Sequence, residues 1–418
     1  MKFKLTPLEK KWVLYDVGNS AFTMMVSTIF PIYFNYLAEN AGISDVDYLA
    51  YWGYATSICT LIVAILGPTL GAIADTKNFK KIIFSISMGV GVFGCILLGF
   101  LSSWIWFLGV FVLAKTGYSA SLVFYDAMLT DVTEPDRMDS VSSHGYAWGY
   151  IGSCIPFVAC LGIVLGAGSL GISMQTSMIL AFIITALWWL CSSIPLLRSY
   201  RQKYFSEAGD HVVRNSFKRL GRTFVELTKE KHIFVFLLAF FFYIDGVYTV
   251  IDMATAYGQA LGLDSTGLLL ALLVTQIVAF PCVLIFSRLV KKVKPETIIT
   301  ICIAAYFCIA VYAYWLDTQF DFWLLAVMVG MFQGTIQALS RSYFAKIIPA
   351  EKSGEFFGIY DICGKGASVI GTALVSVLSQ VTGSINIGVS ALSVMFLIGL
   401  VLFRYSAKLN SNRKKTKV

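Results

Sequence analysis

About twelve times along this 418-residue chain a window of about 20 mostly apolar residues recurs, the length that crosses the hydrocarbon of a bilayer as a helix. The windows cover approximately 11–38, 49–74, 81–101, 104–130, 141–167, 175–197, 232–260, 264–290, 296–316, 321–348, 355–379 and 386–407, and are numbered here as segments 1 to 12. Lipid offers no partner to backbone N–H and C=O groups, so each window must satisfy its own as an α-helix. Composition agrees: 57% of residues are hydrophobic, 13% are charged and the mean hydropathy is +0.75. An ordinary soluble domain carries about 25% charged residues. The expected fold is therefore an all-α polytopic membrane protein, and the chain lacks the charged surface that two aqueous domains would need.

The lysines and arginines fall in alternate connections: the N-terminus, Lys77 with Lys80 and Lys81, Arg137, the 198–231 stretch, Lys291 to Lys294, Lys346 with Lys352, and the tail from Lys408 to Lys417. Positive charge marks the cytoplasmic side, so both termini are expected there and the number of spans must be even. The net charge of +8 follows from this topology and does not argue for nucleic acid. The start, MKFKLTPLEKKW, has no small-residue cleavage site, and the first span is expected to stay as an anchor. Nine scattered cysteines, with no C-x-x-C pair, read as small buried hydrophobes. No metal, cofactor or nucleotide motif is present, and no Ser-His pair lies inside a span, so an enzyme is not expected. A channel would require charged rings or a carbonyl filter sequence, which are also missing.

The longest polar stretch, 198–231, divides the chain into a bundle over 1–197, a cytoplasmic linker and a second bundle over 232–418. Within the linker, Phe217, Leu220, Phe224 and Leu227 recur at helical spacing with Lys218, Arg219 and Arg222 on other faces. That pattern predicts a helix lying on anionic lipid, against the plainer reading of a flexible basic linker. The halves echo each other: segments 4 and 10 each run into a proline turn and a Gly-rich span, TEPDRMDS…HGYAWGYIGS and IPAEKSGEFFGIYDICGKGAS.

Between segments 2 and 3 lies GAIADTKNFKK, 71–81, which resembles the cytoplasmic loop signature of the major facilitator superfamily, with Thr76 where a basic residue is usual. Its physical logic is that Gly71 permits close helix approach, Asp75 can accept hydrogen bonds from a neighbouring helix start, and the lysines hold the loop at the surface. Longer stretches, WVLYDVGNSAF (12–22), FFYIDGVYTVIDMATAYG (241–258) and GTIQALSRSYFAKIIPAEKSGEFFGIYD (334–361), are similar to the branch containing the autophagy-related vacuolar amino-acid effluxers and their bacterial relatives. The resemblance implies twelve helices in two pseudo-symmetric six-helix bundles, a monomer in a bacterial plasma membrane, and alternating access. It further implies efflux of neutral amino acids. Lys115 stands where many relatives carry arginine, and GYIGSCIP (149–156) only partly resembles the antiporter motif.

Charges inside the spans mark the working residues, because lipid does not accept them. At 1.5 Å per residue, Lys115, Asp245 and Lys365 lie about 15 to 20 Å from the nearer counted ends of segments 4, 7 and 11, close to the midplane. Gln333 lies there too and continues through Gln337 to Arg341 at spacings of four. A cytoplasmic set holds Asp16 with Asn19, Asp75, Asp126, Arg341 and Asp361, and Asp252 stands alone in the outer third. The expected roles are substrate and proton coupling for Asp245, Asp252, Lys115, Lys365, Gln333 and Gln337, and a cytoplasmic gate for the second set. Plainer alternatives stand beside these: an intrahelical pair for Asp361 and Lys365, interhelical bonding for the glutamines, and a permanently paired ion for Asp245. Two cations facing one anion suit a small zwitterion such as an amino acid, carried with protons. The runner-up is proton-coupled export of another amphipathic metabolite or drug.

Overall fold

The computed structural model describes residues 3–169, 171–206, 227–260, 262–263, 265–365 and 368–416, at some helical positions by backbone alone. Its helices are α1 (Pro7–Ser27), α2 (Ile29–Asn40), α3 (Asp45–Ala74), α4 (Phe79–Leu98), α5 (Trp104–Ala127), α6 (Leu129–Val132), α7 (Pro135–Leu165) and α8 (Met174–Ser199). They continue as α9 (Lys231–Ala260), α10 (Ser265–Leu289), α11 (Pro295–Tyr312), α12 (Gln319–Ile347), α13 (Ser353–Lys365), α14 (Ser368–Thr382), α15 (Ile385–Ser390) and α16 (Leu392–Thr416). Eleven stretches among the described residues are long and apolar enough to cross a membrane, α1 with α2, α5 with α6 and α15 with α16 counting as one each. Segment 11 is α13 followed by α14, whose apolar part is Ile370–Thr382, on either side of residues 366–367 that lie outside the described residues. The amphipathic helix expected in the linker also falls largely outside them, at 207–226.

Local chemistry sets the helix ends. Thr6 and Glu9 form a capping box at α1, the Thr6 N–H donating to Glu9 at 2.7 Å. Glu9 is itself buried and accepts from the Thr133 hydroxyl at 2.7 Å, which ties the start of α1 to the end of α6. Thr318 and Asp321 repeat the capping box at α12. Helix α7 begins at Pro135, whose fixed φ suits a first helical turn, and therefore starts about six residues before the apolar window of segment 5. Asp139 and Ser140 lie in that extra stretch and, like Ser142 and Ser143 just after it, are buried against protein, so a hydropathy window clips the helix there.

The helices group into two compact units: Met1–Thr133 with Trp148–Asp210 and Ala350–Gly358, and Glu134–Ala147 with His211–Pro349 and Ile359–Val418. In the first unit α4 packs on α5 and α1 on α8. The α4–α5 contact depends on small residues, since a Cβ on Gly117 would stand 2.7 Å from the Gly91 nitrogen. In the second, α9 packs on α16 and α10 on α12. Aromatics fill both interiors: the Trp12 and Tyr125 rings stack at 4.4 Å in the first unit, and Phe236, Phe403 and Tyr343 cluster in the second. Large flat rings fill volume between helices, where packing replaces the hydrophobic drive that lipid cannot supply. The exposed side chains include both aliphatics such as Leu165 and Val381 and aromatics such as Trp106 and Phe320. Five of the cysteines are buried, and Cys191 and Cys308 are exposed.

Candidate functional site

The first unit holds a sealed cluster of charges at the end of α3. Asp75 caps that helix, and its two carboxylate oxygens accept from the Gly354 N–H at 2.7 Å and the Glu355 N–H at 3.0 Å. These N–H groups belong to the first turn of α13, where no intrahelical carbonyl can reach them and the helix dipole favours an anion. The approach needs glycine on both sides: a Cβ on Gly354 would sit 2.6 Å from the Gly71 carbonyl oxygen. Lys80 points its ammonium at Asp131, 3.1 Å away, and at Asp75, 3.9 Å away, and donates to the Ser353 hydroxyl at 2.8 Å. Asp131 also accepts from the Tyr200 hydroxyl at 2.5 Å and from the N–H groups of Lys203 and Tyr204 at 3.0 and 2.8 Å. Burial, reinforced by Asp131, holds the Tyr200 phenol well above its usual pKa. The 200–206 segment is thereby laid over the end of α3, where the Ser206 N–H donates to the Asp75 carbonyl at 2.8 Å.

A second cluster lies in the other unit, between the first turns of α7 and the last turns of α12. Lys346 donates to both oxygens of Asp139 at 2.6 Å, and the Ser342 hydroxyl adds a bond at 2.7 Å. One turn away Arg341 donates through Nε to the Ser142 hydroxyl at 2.9 Å and through Nη2 to the Ser142 carbonyl at 3.1 Å. Its guanidinium lies over the Tyr146 ring, 4.4 Å from the centroid, a favourable cation–π geometry.

Asp245, halfway along α9, is fully buried and differently served. One carboxylate oxygen accepts from the Gly371 N–H of α14 at 3.2 Å and from the Thr249 hydroxyl at 3.3 Å. The other oxygen has no hydrogen-bond partner among the described residues. Thr249 also lines a cavity of about 90 Å³ inside this unit, bounded by α9 to α12 and α14 to α16. Its wall is mostly aliphatic, but Gln333, Gln276, Thr275 and Tyr257 reach it. Gln333 is buried, and its amide nitrogen has no partner among the described residues.

The remaining predicted residues are spread more widely. In the first unit Asn19 donates to the Asp16 carboxylate at 3.3 Å and to the Tyr15 carbonyl at 3.1 Å. Lys115 is half-buried with its ammonium 5.7 Å from the centroid of Phe111, and Asp126 is half-buried. In the second, Asp252 is exposed, Gln337 and Asp361 are half-buried, and the Lys365 side chain lies outside the described residues. Sequence reasoning missed Lys80, Asp131, Asp139, Ser142 and Lys346. The available signal was the acidic run in TDVTEPDRMDS, which holds more carboxylates than a short surface turn needs.

Comparison with known proteins agrees with this architecture. Residues 8–417 match the family described as "Vacuole effluxer Atg22 like". The chain is 42% identical over 97% of its length, and 96% of the relative's, to a protein named as an uncharacterized MFS-type transporter, YxiO of Bacillus subtilis. It is 23% identical to autophagy-related protein 22 of Coccidioides immitis, over 85% of this chain and 72% of that one. A bacterial homologue of the iron transporter ferroportin, solved in an outward-facing state, superposes with a TM-score of 0.71 at 14% identity, covering 96% of this chain and 99% of that one. The all-helical spans and these likenesses lead to one conclusion: the chain belongs to the Atg22-like vacuole effluxer family and is a transporter of the major facilitator type.

Proposed function

We propose that this transporter moves a small zwitterionic solute, an amino acid, by alternating access coupled to protons, in the direction of efflux. The observation that carries the reading is Asp245, a fully buried mid-span carboxyl with one oxygen held by Gly371 and Thr249 and the other without a partner among the described residues. A carboxyl in the membrane interior with an open oxygen is an acceptor for an ammonium group or a proton, and such groups persist in spans where function requires them. Efflux follows from the effluxer description of the matching family.

Lys115, Lys365, Gln333 and Gln337 complete the substrate and coupling set in this reading, with Asp252 as an outer relay. The clusters around Asp75 and Arg341 form the cytoplasmic gate, with Asp16, Asn19, Asp126 and Asp361 beside them. Buried ion pairs give little net stability but make good two-state latches, because parting them exposes both members to water. The termini face the cytoplasm of a bacterial cell, the protein acts as a monomer in the plasma membrane, and the 198–231 linker rests on anionic lipid.

Purified protein in liposomes, given an outwardly or inwardly directed proton gradient and a panel of labelled amino acids, tests the reading. Gradient-dependent movement of at least one amino acid is expected. Movement of other amphipathic solutes with no amino acid carried would overturn it.

A further inference from the structure

Asp245 is sealed from solvent in this structure, yet a coupling carboxyl must exchange its proton with something. Two groups touch its engaged oxygen, the Gly371 N–H and the Thr249 hydroxyl. A backbone N–H keeps its proton and cannot pass it on. A hydroxyl can accept one proton while releasing another, and Thr249 is also part of the cavity wall.

The cavity suits water at that end. Its roughly 90 Å³ is ample for several molecules, each of which needs about 10–15 Å³ and two or more polar partners. Those partners exist: the Gln333 amide nitrogen, without one of its own among the described residues, the Thr249 and Thr275 hydroxyl oxygens, Gln276, and the Tyr257 hydroxyl. Thr249 and Tyr257 are eight residues apart, so the lining on α9 spans about 12 Å.

We propose that this cavity is an aqueous branch inside the second unit and that Thr249 relays protons between its water and Asp245. An excess proton on cavity water passes to the Thr249 oxygen as the proton that Thr249 already carries passes to Asp245. The water is left neutral, Thr249 is again a neutral hydroxyl, and Asp245 becomes a carboxylic acid. Rotation of the hydroxyl resets the relay, and the reverse sequence releases the proton. The inference rests on the coupling role given to Asp245 above, and Thr249 is a positioning and relay residue with no substrate contact.

The surrounding elements supply few competing charges. Helices α14 and α15 carry none, α10 none before Arg288, α11 only Glu296 in its first turn, and α16 none before Arg404. On α12 the charges are Asp321, near its start, Arg341, held by Ser142 and Tyr146, and Lys346, on Asp139. On α13 they are Glu355, Asp361 and Lys365, and Asp252 follows two turns on along α9.

The test reads the carboxyl directly and needs no substrate. Full-length protein in lipid nanodiscs is given a rapid pH jump, and the carboxyl C=O stretch is followed by infrared difference spectroscopy, the Asp245 band being the one that Asp245→Asn removes. Thr249→Val, which keeps the shape and loses the hydroxyl, is expected to slow the band by about a hundredfold, the low end of what a positioned proton-transfer group contributes. Thr249→Ser should restore it, and Ala310→Leu, which fills the cavity, should slow it as Thr249→Val does. A wild-type rate in Thr249→Val overturns the relay, and a wild-type rate in Ala310→Leu overturns the aqueous branch. If Asp245→Asn removes no band at any pH, the coupling role itself fails, an outcome distinct from both.

Discussion

Asp131 and Asp245 are both carboxylates sealed inside their units, and the protein treats them in opposite ways. Asp131 is met by the Lys80 ammonium, a phenol and two backbone N–H groups, so its charge is compensated on every side that the contacts describe. Asp245 receives two bonds of 3.2 and 3.3 Å on one oxygen, while the other has no hydrogen-bond partner among the described residues. An unsatisfied buried polar atom costs about 1–3 kcal/mol, so the two sites differ in energy as well as in geometry. The comparison separates a fully compensated carboxylate from one with an open oxygen, the one to which the coupling role is proposed.

The largest expected effect breaks the compensated side. Lys80→Met takes the ammonium from Asp131 and Asp75, and losing one member of a buried pair costs about 3–5 kcal/mol. Thermal unfolding in detergent should show a large fall in Tm. A Tm within error of wild type would mean that Lys80 compensates nothing.

Tyr200→Phe removes one charge-assisted bond from Asp131 and should cost about 1.5–3 kcal/mol. It also changes the response to alkali. The folded-state pKa of Tyr200 is raised, so its contribution is complete below the unfolded value of about 10 and is lost as pH climbs beyond it. The variant should therefore lose less stability than wild type between neutral and strongly alkaline pH, measured by unfolding at a pH series. An equal loss would contradict the burial argument.

Lys346→Met cuts the Asp139 pair in the other unit, where the lysine side chain is 23% exposed. Solvent already screens this contact, and about 1 kcal/mol is expected. Asp245→Asn should cost least, at most about 1 kcal/mol, because the amide oxygen can still accept from Gly371 and no compensating charge is stranded. A fall in Tm as deep as that of Lys80→Met would move Asp245 into the structural class.

The spans were legible because each is a long apolar window bounded by charge, and the rule that lipid rejects bare charge pointed at Asp245. The Asp75 contact with the first turn of α13 is present, and the GAIAD stretch had suggested it from glycine and aspartate alone. Asp131 and Asp139 were hidden by their surroundings. Flanked by Thr, Glu, Pro and Arg, they read as a connection, although the chain there is helical and folded against protein. Lys80 was read as one of several surface lysines, since sequence does not distinguish a lysine that anchors a loop at the headgroups from one turned inward onto two aspartates. The cavity was invisible for another reason: its wall is mostly aliphatic and comes from separate helices, whose apolar residues are ordinary in a span.

The central claim is that Asp245 is the site where transport is coupled. Proteoliposomes holding wild type or Asp245→Asn, loaded with the amino acid that wild type carries best and given a proton gradient, test it most directly. Gradient-driven flux should vanish in Asp245→Asn while the protein stays folded. Flux equal to wild type, with the same dependence on pH, would contradict the account.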